Sequence, residues 1–109
     1  MKKVFISQPM SGLTIEQIKE DRERCIKVIK DEIGDDFEVI DNLQENKNYP
    51  HKLYYLSEDL KFLSEADVVF FATGWDDARG CEIEWQAAKN YLDPDKTIFM
   101  YEDVLKYSI

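Results

Sequence analysis

The run Asp67-Val68-Val69-Phe70-Phe71-Ala72 holds five apolar residues in succession, with no polar residue among them. A half-exposed strand or an amphipathic helix would break such a run at every second residue or every turn. The pattern predicts a strand covered on both faces, which is how a parallel sheet reads in sequence. A sheet of that kind needs helices on each side, so the rest of the chain must alternate strand with helix.

It does. Residues 3–7, Lys-Val-Phe-Ile-Ser, form a short β-favouring strand closed by Gln8-Pro9, and the small and turn-forming residues from Ser7 to Gly12 make a loop. Thr14 then reads as a helix N-cap with Gln17 completing a capping box and Leu13 facing Ile18 as a hydrophobic staple. Ile15, Ile18, Cys25, Ile26, Ile29 and Ile33 recur near helical spacing, with Lys, Glu, Asp and Arg on the other face, until Gly34 stops the helix. Phe37 to Ile40 is a second strand ending at Asp41, and Asn42 to Pro50 is a polar loop. Leu53, Leu56, Leu60 and Leu63 place a helix over about His51 to Ser64, with Asp59 on its polar side. After the central strand come a loop from Thr73 to Arg79, a helix from about Gly80 to Tyr91, a strand over Thr97 to Met100 and a helical tail.

This order predicts a single α/β domain over residues 1–109, Rossmann- or flavodoxin-like, in three layers. A parallel sheet of four to five strands would carry helices on both faces through right-handed crossovers. Ligands of such folds bind beyond the carboxyl ends of the strands, where strand order reverses. The loops at Ser7 to Gly12, after Asp41 and at Thr73 to Gly80 all open at that edge.

Charge narrows the partners. With 23 acidic against 14 basic residues the net charge is -9, a field that repels a nucleic-acid polymer but leaves room for a small anion at backbone amides. No apolar run approaches the ~20 residues that span a bilayer, and Met1-Lys2-Lys3 passes straight into a strand pattern, so neither a membrane partner nor a signal peptide is expected. Cys25 and Cys81 stand far apart without a CxxC spacing, which fits buried thiols in a reduced cytoplasm. His51 is the only histidine, and no metal or organic cofactor is expected.

Asp59, Glu84 and either Asp76 or Asp77 converge on the ligand edge in this arrangement. Paired carboxylates suit glycosidic-bond chemistry, one attacking the anomeric carbon while another handles protons. Glu84 lies four residues after Gly80 and four before Ala88, so small residues stack beside it and leave space for a ligand. The bland alternative is a solvated glutamate near a helix N-terminus. Trp75 can stack on a base or join the core, Asp41 can meet a sugar hydroxyl or merely start a loop, and Arg79 can meet a phosphate or a surface carboxylate. Tyr49, Tyr54 and Tyr55 read as packing or a subunit contact.

Three blocks carry a family resemblance: Val4-Phe5-Ile6-Ser7-Gln8-Pro9-Met10-Ser11-Gly12, Asp59-Leu60-Lys61-Phe62-Leu63-Ser64-Glu65-Ala66-Asp67-Val68-Val69, and Gly80-Cys81-Glu82-Ile83-Glu84-Trp85-Gln86-Ala87-Ala88. Over nearly its whole length the chain resembles the nucleoside 2-deoxyribosyltransferase-like proteins, among them the deoxynucleoside monophosphate N-glycosidases. The resemblance implies a covalent glycosyl intermediate on Glu84, with Asp59 placing or protonating the substrate, assisted by Asp76 or Asp77. It also implies that Ser7, Ser11 and Gly12 hold the sugar or its phosphate. With Gln8, Pro9, Met10, Asp41, Trp75, Arg79 and Gly80 they make up the expected contacts of a nucleoside or nucleotide, in a homodimer or larger assembly.

Phe5, Ala78 and Gln86 depart from the family pattern, where a tyrosine, a serine or aspartate, and a glycine are usual. Phe5 lacks a hydroxyl that would adjust the nucleophile, and Gln86 is expected to crowd the pocket. A module of the same fold that binds a nucleotide without turning it over is the alternative expectation.

Overall fold

The computed structural model describes residues 1–107, and these form the α/β sandwich that the alternation predicts. In chain order the elements are β1 (Lys2–Ser7), α1 (Ile15–Ile33), β2 (Phe37–Val39), α2 (Lys52–Leu63), β3 (Val68–Phe71), a 3-10 turn (Trp75–Asp77), α3 (Arg79–Tyr91), β4 (Ile98–Tyr101) and α4 (Glu102–Tyr107). The four strands are all parallel in the order β2-β1-β3-β4. The order reverses between β1 and β3, so the carboxyl ends of those two strands, Ser7 and Phe71, flank the switch point.

Strand pleat sends alternate residues to opposite faces, and both faces are dry. Val4, Ile6, Val68, Phe70 and Met100 pack with Cys25 and Ile29 of α1, while Phe5, Val69 and Phe71 pack with Leu63 and Ala66 at the end of α2 and Ala88 of α3. Every residue of β3 is fully buried, which explains the absence of polar alternation there. At ~1.5–3 kcal/mol for each large apolar side chain removed from water, this strand and β1 supply much of the drive for folding. Asp67 fixes their register: its carboxylate accepts from the Lys3 amide at 2.9 Å while its own amide donates to the Lys3 carbonyl at 2.8 Å.

Local signals set the ends of α1. The Thr14 hydroxyl accepts from the Gln17 amide at 3.2 Å and the Gln17 side chain returns the bond at 2.9 Å, and Gly34 ends the helix at φ 83°, a left-handed conformation that favours glycine. Leu13 and Ile15, by contrast, are exposed. The stripe that faces the sheet is Ile18, Arg22, Cys25 and Ile29, so an arginine occupies a position that its charge assigns to the solvent side.

Other expectations shift by small amounts. β2 ends at Val39, although the Ile40 amide still donates to the Val4 carbonyl at 2.8 Å. β4 runs one residue later than Thr97 to Met100, and α3 begins at Arg79 instead of Gly80. Leu53 does not join the leucine face of α2: it is 70 % exposed, because the first turn of that helix overhangs the sheet and only its last turn reaches the core. The loop after β3 is not irregular throughout, since Gly74 at φ 86° turns the chain into the 3-10 segment. Among the described residues no helix is long and apolar enough to cross a membrane. Cys25 and Cys81 are free, buried thiols.

Candidate active site

A cavity of about 550 Å³ opens at the switch point, lined from β1 by Ile6, from the loop after it by Gln8, Pro9, Met10 and Ser11, and from the other elements as follows. Asn42 comes from beyond β2, Lys52 and Asp59 from α2, Asp77 and Ala78 from the loop after β3, and Arg79, Gly80, Cys81 and Glu84 from the first turns of α3. This volume lies within the ~300–1,000 Å³ range of small-molecule sites.

Glu84 forms its floor. The residue is 5 % exposed, and its Oε1 accepts a hydrogen bond of 2.8 Å from the Ser7 hydroxyl. Phe5 and Ser7 share one face of β1, so the hydroxyl that Phe5 lacks is supplied two residues later on the same side of the strand. The Asp59 carboxyl is the second member of the site, lining the same cavity close enough for the two carboxyls to act on each other. Gln44 donates to Asp59 Oδ1 at 3.1 Å, and Asn42 lines the cavity with it.

Two carboxyls in contact away from water cannot both ionise at ordinary cost. Burial, then the charge of Asp59, pushes the Glu84 carboxyl well above the usual carboxylate range, against the downward pull of Ser7. Burial raises Asp59 as well, opposed by its bonds from Gln44, Glu84 and Asn42 and by the charge of Arg22. The pair therefore holds one shared proton over a span of pH that reaches toward neutrality. The Cys81 thiol beside it is pushed up to about 11, chiefly by burial, and stays protonated.

The support beneath the pair was not foreseen. Gln44 has a left-handed backbone at φ 54°, and its amide nitrogen donates both to Asp59 and to the Tyr55 carbonyl at 3.0 Å. Both neighbours are acceptors, which fixes the amide orientation and leaves the buried Gln44 Oε1 without a partner. Strain and an orphan acceptor at a residue that grips a carboxylate are features that concentrate at functional sites. Asn42 is 3 % exposed and faces the cavity, whereas Asp41 is exposed and lies outside it. Burial alternates over Ile40, Asp41 and Asn42, which sets Asn42 on the inner side with Ile40 and turns Asp41 out.

Of the expected contacts, Gln8, Pro9, Met10, Ser11, Arg79 and Gly80 line the cavity, and Ser7 reaches it through Glu84. Gly12 and Asp76 do not line it, and Asp77 lines it from an exposed position at the rim. Trp75 also lies elsewhere. Its ring packs on Phe71 at 5.2 Å, Trp85 at 5.7 Å and Tyr101 at 5.8 Å, because the 3-10 turn folds it back over the end of the sheet. Gln86 is exposed and away from the cavity, so it crowds nothing. Among the described residues no group of three or more His, Cys, Asp and Glu side chains is placed to hold a metal ion.

A hollow of similar size, about 560 Å³, lies on the opposite face beside Arg24, Thr73 and Glu102. Its charges satisfy one another: Arg24 Nε donates to Glu102 at 2.9 Å, as do the amide and hydroxyl of Thr73, also at 2.9 Å. That leaves little for a ligand to recruit. No family model, curated protein or solved structure matches the chain, so the chemistry of the Glu84 cavity rests on its own geometry.

Proposed function

We propose that the protein cleaves or transfers the N-glycosidic bond of a deoxynucleoside or its monophosphate, in the manner of the nucleoside 2-deoxyribosyltransferase-like enzymes. The observation that carries this reading is the pairing of buried Glu84 with half-buried Asp59 in a sugar-sized cavity. One oxygen of Glu84 is already oriented by Ser7 at 2.8 Å. An oriented carboxylate attacks the anomeric carbon, the bond from that carbon to the base nitrogen breaks, and the electron pair leaves with the base. The proton shared by the pair goes to the departing nitrogen. Water or a second base then displaces Glu84 from the sugar, giving hydrolysis or transfer.

The direct test is incubation of the purified protein with deoxynucleosides and deoxynucleoside monophosphates, followed by chromatography of free base. Base release is the expected result. Tight binding of these compounds without release would replace the proposal with a non-catalytic binding module.

The rim supports a charged substrate. Lys52 and Arg79 line the cavity from exposed positions, and neither makes an ion pair among the described residues. A phosphate over the acidic floor would meet these two cations. The double variant Lys52→Gln with Arg79→Gln is expected to raise KM for a monophosphate about tenfold, the loss of one or two partly exposed charge-assisted contacts, with little change for the nucleoside. Equal changes for the two substrates would remove the phosphate from this position.

A further inference from the structure

Arg22 is 7 % exposed and lies on the α1 stripe shared by Ile18, Cys25 and Ile29. There a guanidinium gives up its hydration, and burial shifts its proton affinity below the ordinary value. Its hydrogen bonds run to neutral acceptors: Gln8 Oε1 at 3.1 Å, the Ile40 carbonyl at 2.7 Å and Asn42 Oδ1 at 2.8 Å. Among the described residues it has no carboxylate within ion-pair distance. A buried cation in that state requires a compensating charge nearby.

The negative charges that act on Arg22 are Asp41, Asp59 and Glu23, while Cys25, whose thiol burial pushes up, stays neutral. Asp41 and Glu23 are exposed, so solvent screens them. Asp59 is different: it is half-buried and lines the cavity together with Asn42, which accepts from Arg22 at 2.8 Å. Arg22 thus reaches, through Asn42, the wall of the cavity that Asp59 and Glu84 also line. One guanidinium balances a carboxyl pair that carries one proton and one negative charge.

We infer that Arg22 is a positioning residue for the carboxyl pair, a buried positive charge beside Asp59 and Glu84 that also anchors Asn42 and Gln8 in the wall of their cavity. It also clamps two cavity walls, since Gln8, which it holds, donates in turn to the Ile18 carbonyl at 3.0 Å. The other charged groups facing the pair are Lys52 from α2, Asp77 from the loop after β3 and Arg79 from α3. All three are exposed and share the cavity mouth with water. Cys81, the remaining titratable neighbour, keeps its proton. Arg22 is therefore the only buried ionised partner of the pair among the described residues. What the balanced charge is for rests on the glycosidic reading; the charge balance itself does not.

The test is a carbon NMR titration of the side-chain carboxyls of Asp59 and Glu84 in the full chain, without substrate. Arg22→Met is expected to move the titration of the pair upward by about one pH unit, the effect of removing one opposite charge through a protein interior. Arg22→Lys, which keeps the charge, is expected to stay near the unsubstituted protein. If Arg22→Met does not fold, Arg22→Gln removes the charge while keeping a side-chain hydrogen-bond donor, and is expected to move the titration in the same direction. Unmoved midpoints in the folded variant, or an equal shift in Arg22→Lys, would reduce Arg22 to a structural hydrogen-bond donor. The titration needs no turnover. It can succeed in a protein that releases no base and fail in one that does, so the two proposals stand or fall separately.

Discussion

Glu84→Ala is expected to lower base release by at least about a thousandfold, the scale on which removing a covalent nucleophile acts, and Glu84→Gln to do the same while making the protein more stable at alkaline pH. The two effects share one cause. Glu84 is buried and its carboxyl titrates above its unfolded value, so the native state binds the extra proton. Linkage then fixes the sign: the stability that this proton provides is fully present below the unfolded value and is lost as pH rises through the folded one. Glutamine cannot ionise, so the variant escapes that loss. Above the folded value it should exceed the unsubstituted protein by about 1–2 kcal/mol, visible as several degrees in Tm, with the difference vanishing in acid. A glutamate that merely caps a helix surface would show neither effect. Thermal melts of both proteins across pH, beside the activity assay, decide the matter; equal melting curves at alkaline pH would mean that Glu84 holds no buried charge.

The parts of the fold that local chemistry decides were open to reading from the chain. The strand Val68–Phe71 has no polar residue because both of its faces are covered, and Thr14 with Gln17 marks a helix start by bonds within four residues. Gly80, Glu84 and Ala88 follow helical spacing, and Glu84 does face the cavity. What escaped depends on tertiary surroundings. Arg22 carries the charge of a surface residue, and only its place at four residues after Ile18 and three before Cys25 reveals the inward face. Asp41 is the more familiar ligand to a sugar hydroxyl, yet the chain beyond β2 turns it outward and brings in Asn42. Trp75 sits in a polar loop by sequence, but Phe71, Trp85 and Tyr101 meet it only once β3, α3 and β4 are assembled. Side-chain type misled at each of these positions, whereas helical periodicity would have placed the first.

Asp59→Asn tests the other half of the pair, and its expected signature is a change in the shape of the pH profile as well as in rate. On the proposed glycosidic mechanism, turnover of the unsubstituted protein requires the pair with one proton. Below that range both carboxyls are protonated and Glu84 cannot attack; above it no proton remains for the departing base. The profile is therefore expected to be bell-shaped, with both limbs above the ordinary carboxylate range because burial raises both groups. Asparagine keeps the volume and can still accept from Gln44, but it carries no proton to give. The rate should fall by about 10²–10⁴, the contribution of a positioned general acid, and by most for the base that leaves least readily. The descending limb should disappear, leaving a single rise with Glu84 ionisation. That rise should lie at lower pH than before, since the charge of Asp59, the second cause of the upward shift after burial, is gone. An Asp59→Asn profile that keeps both limbs in place at reduced height would assign Asp59 to substrate binding and require another donor for the base.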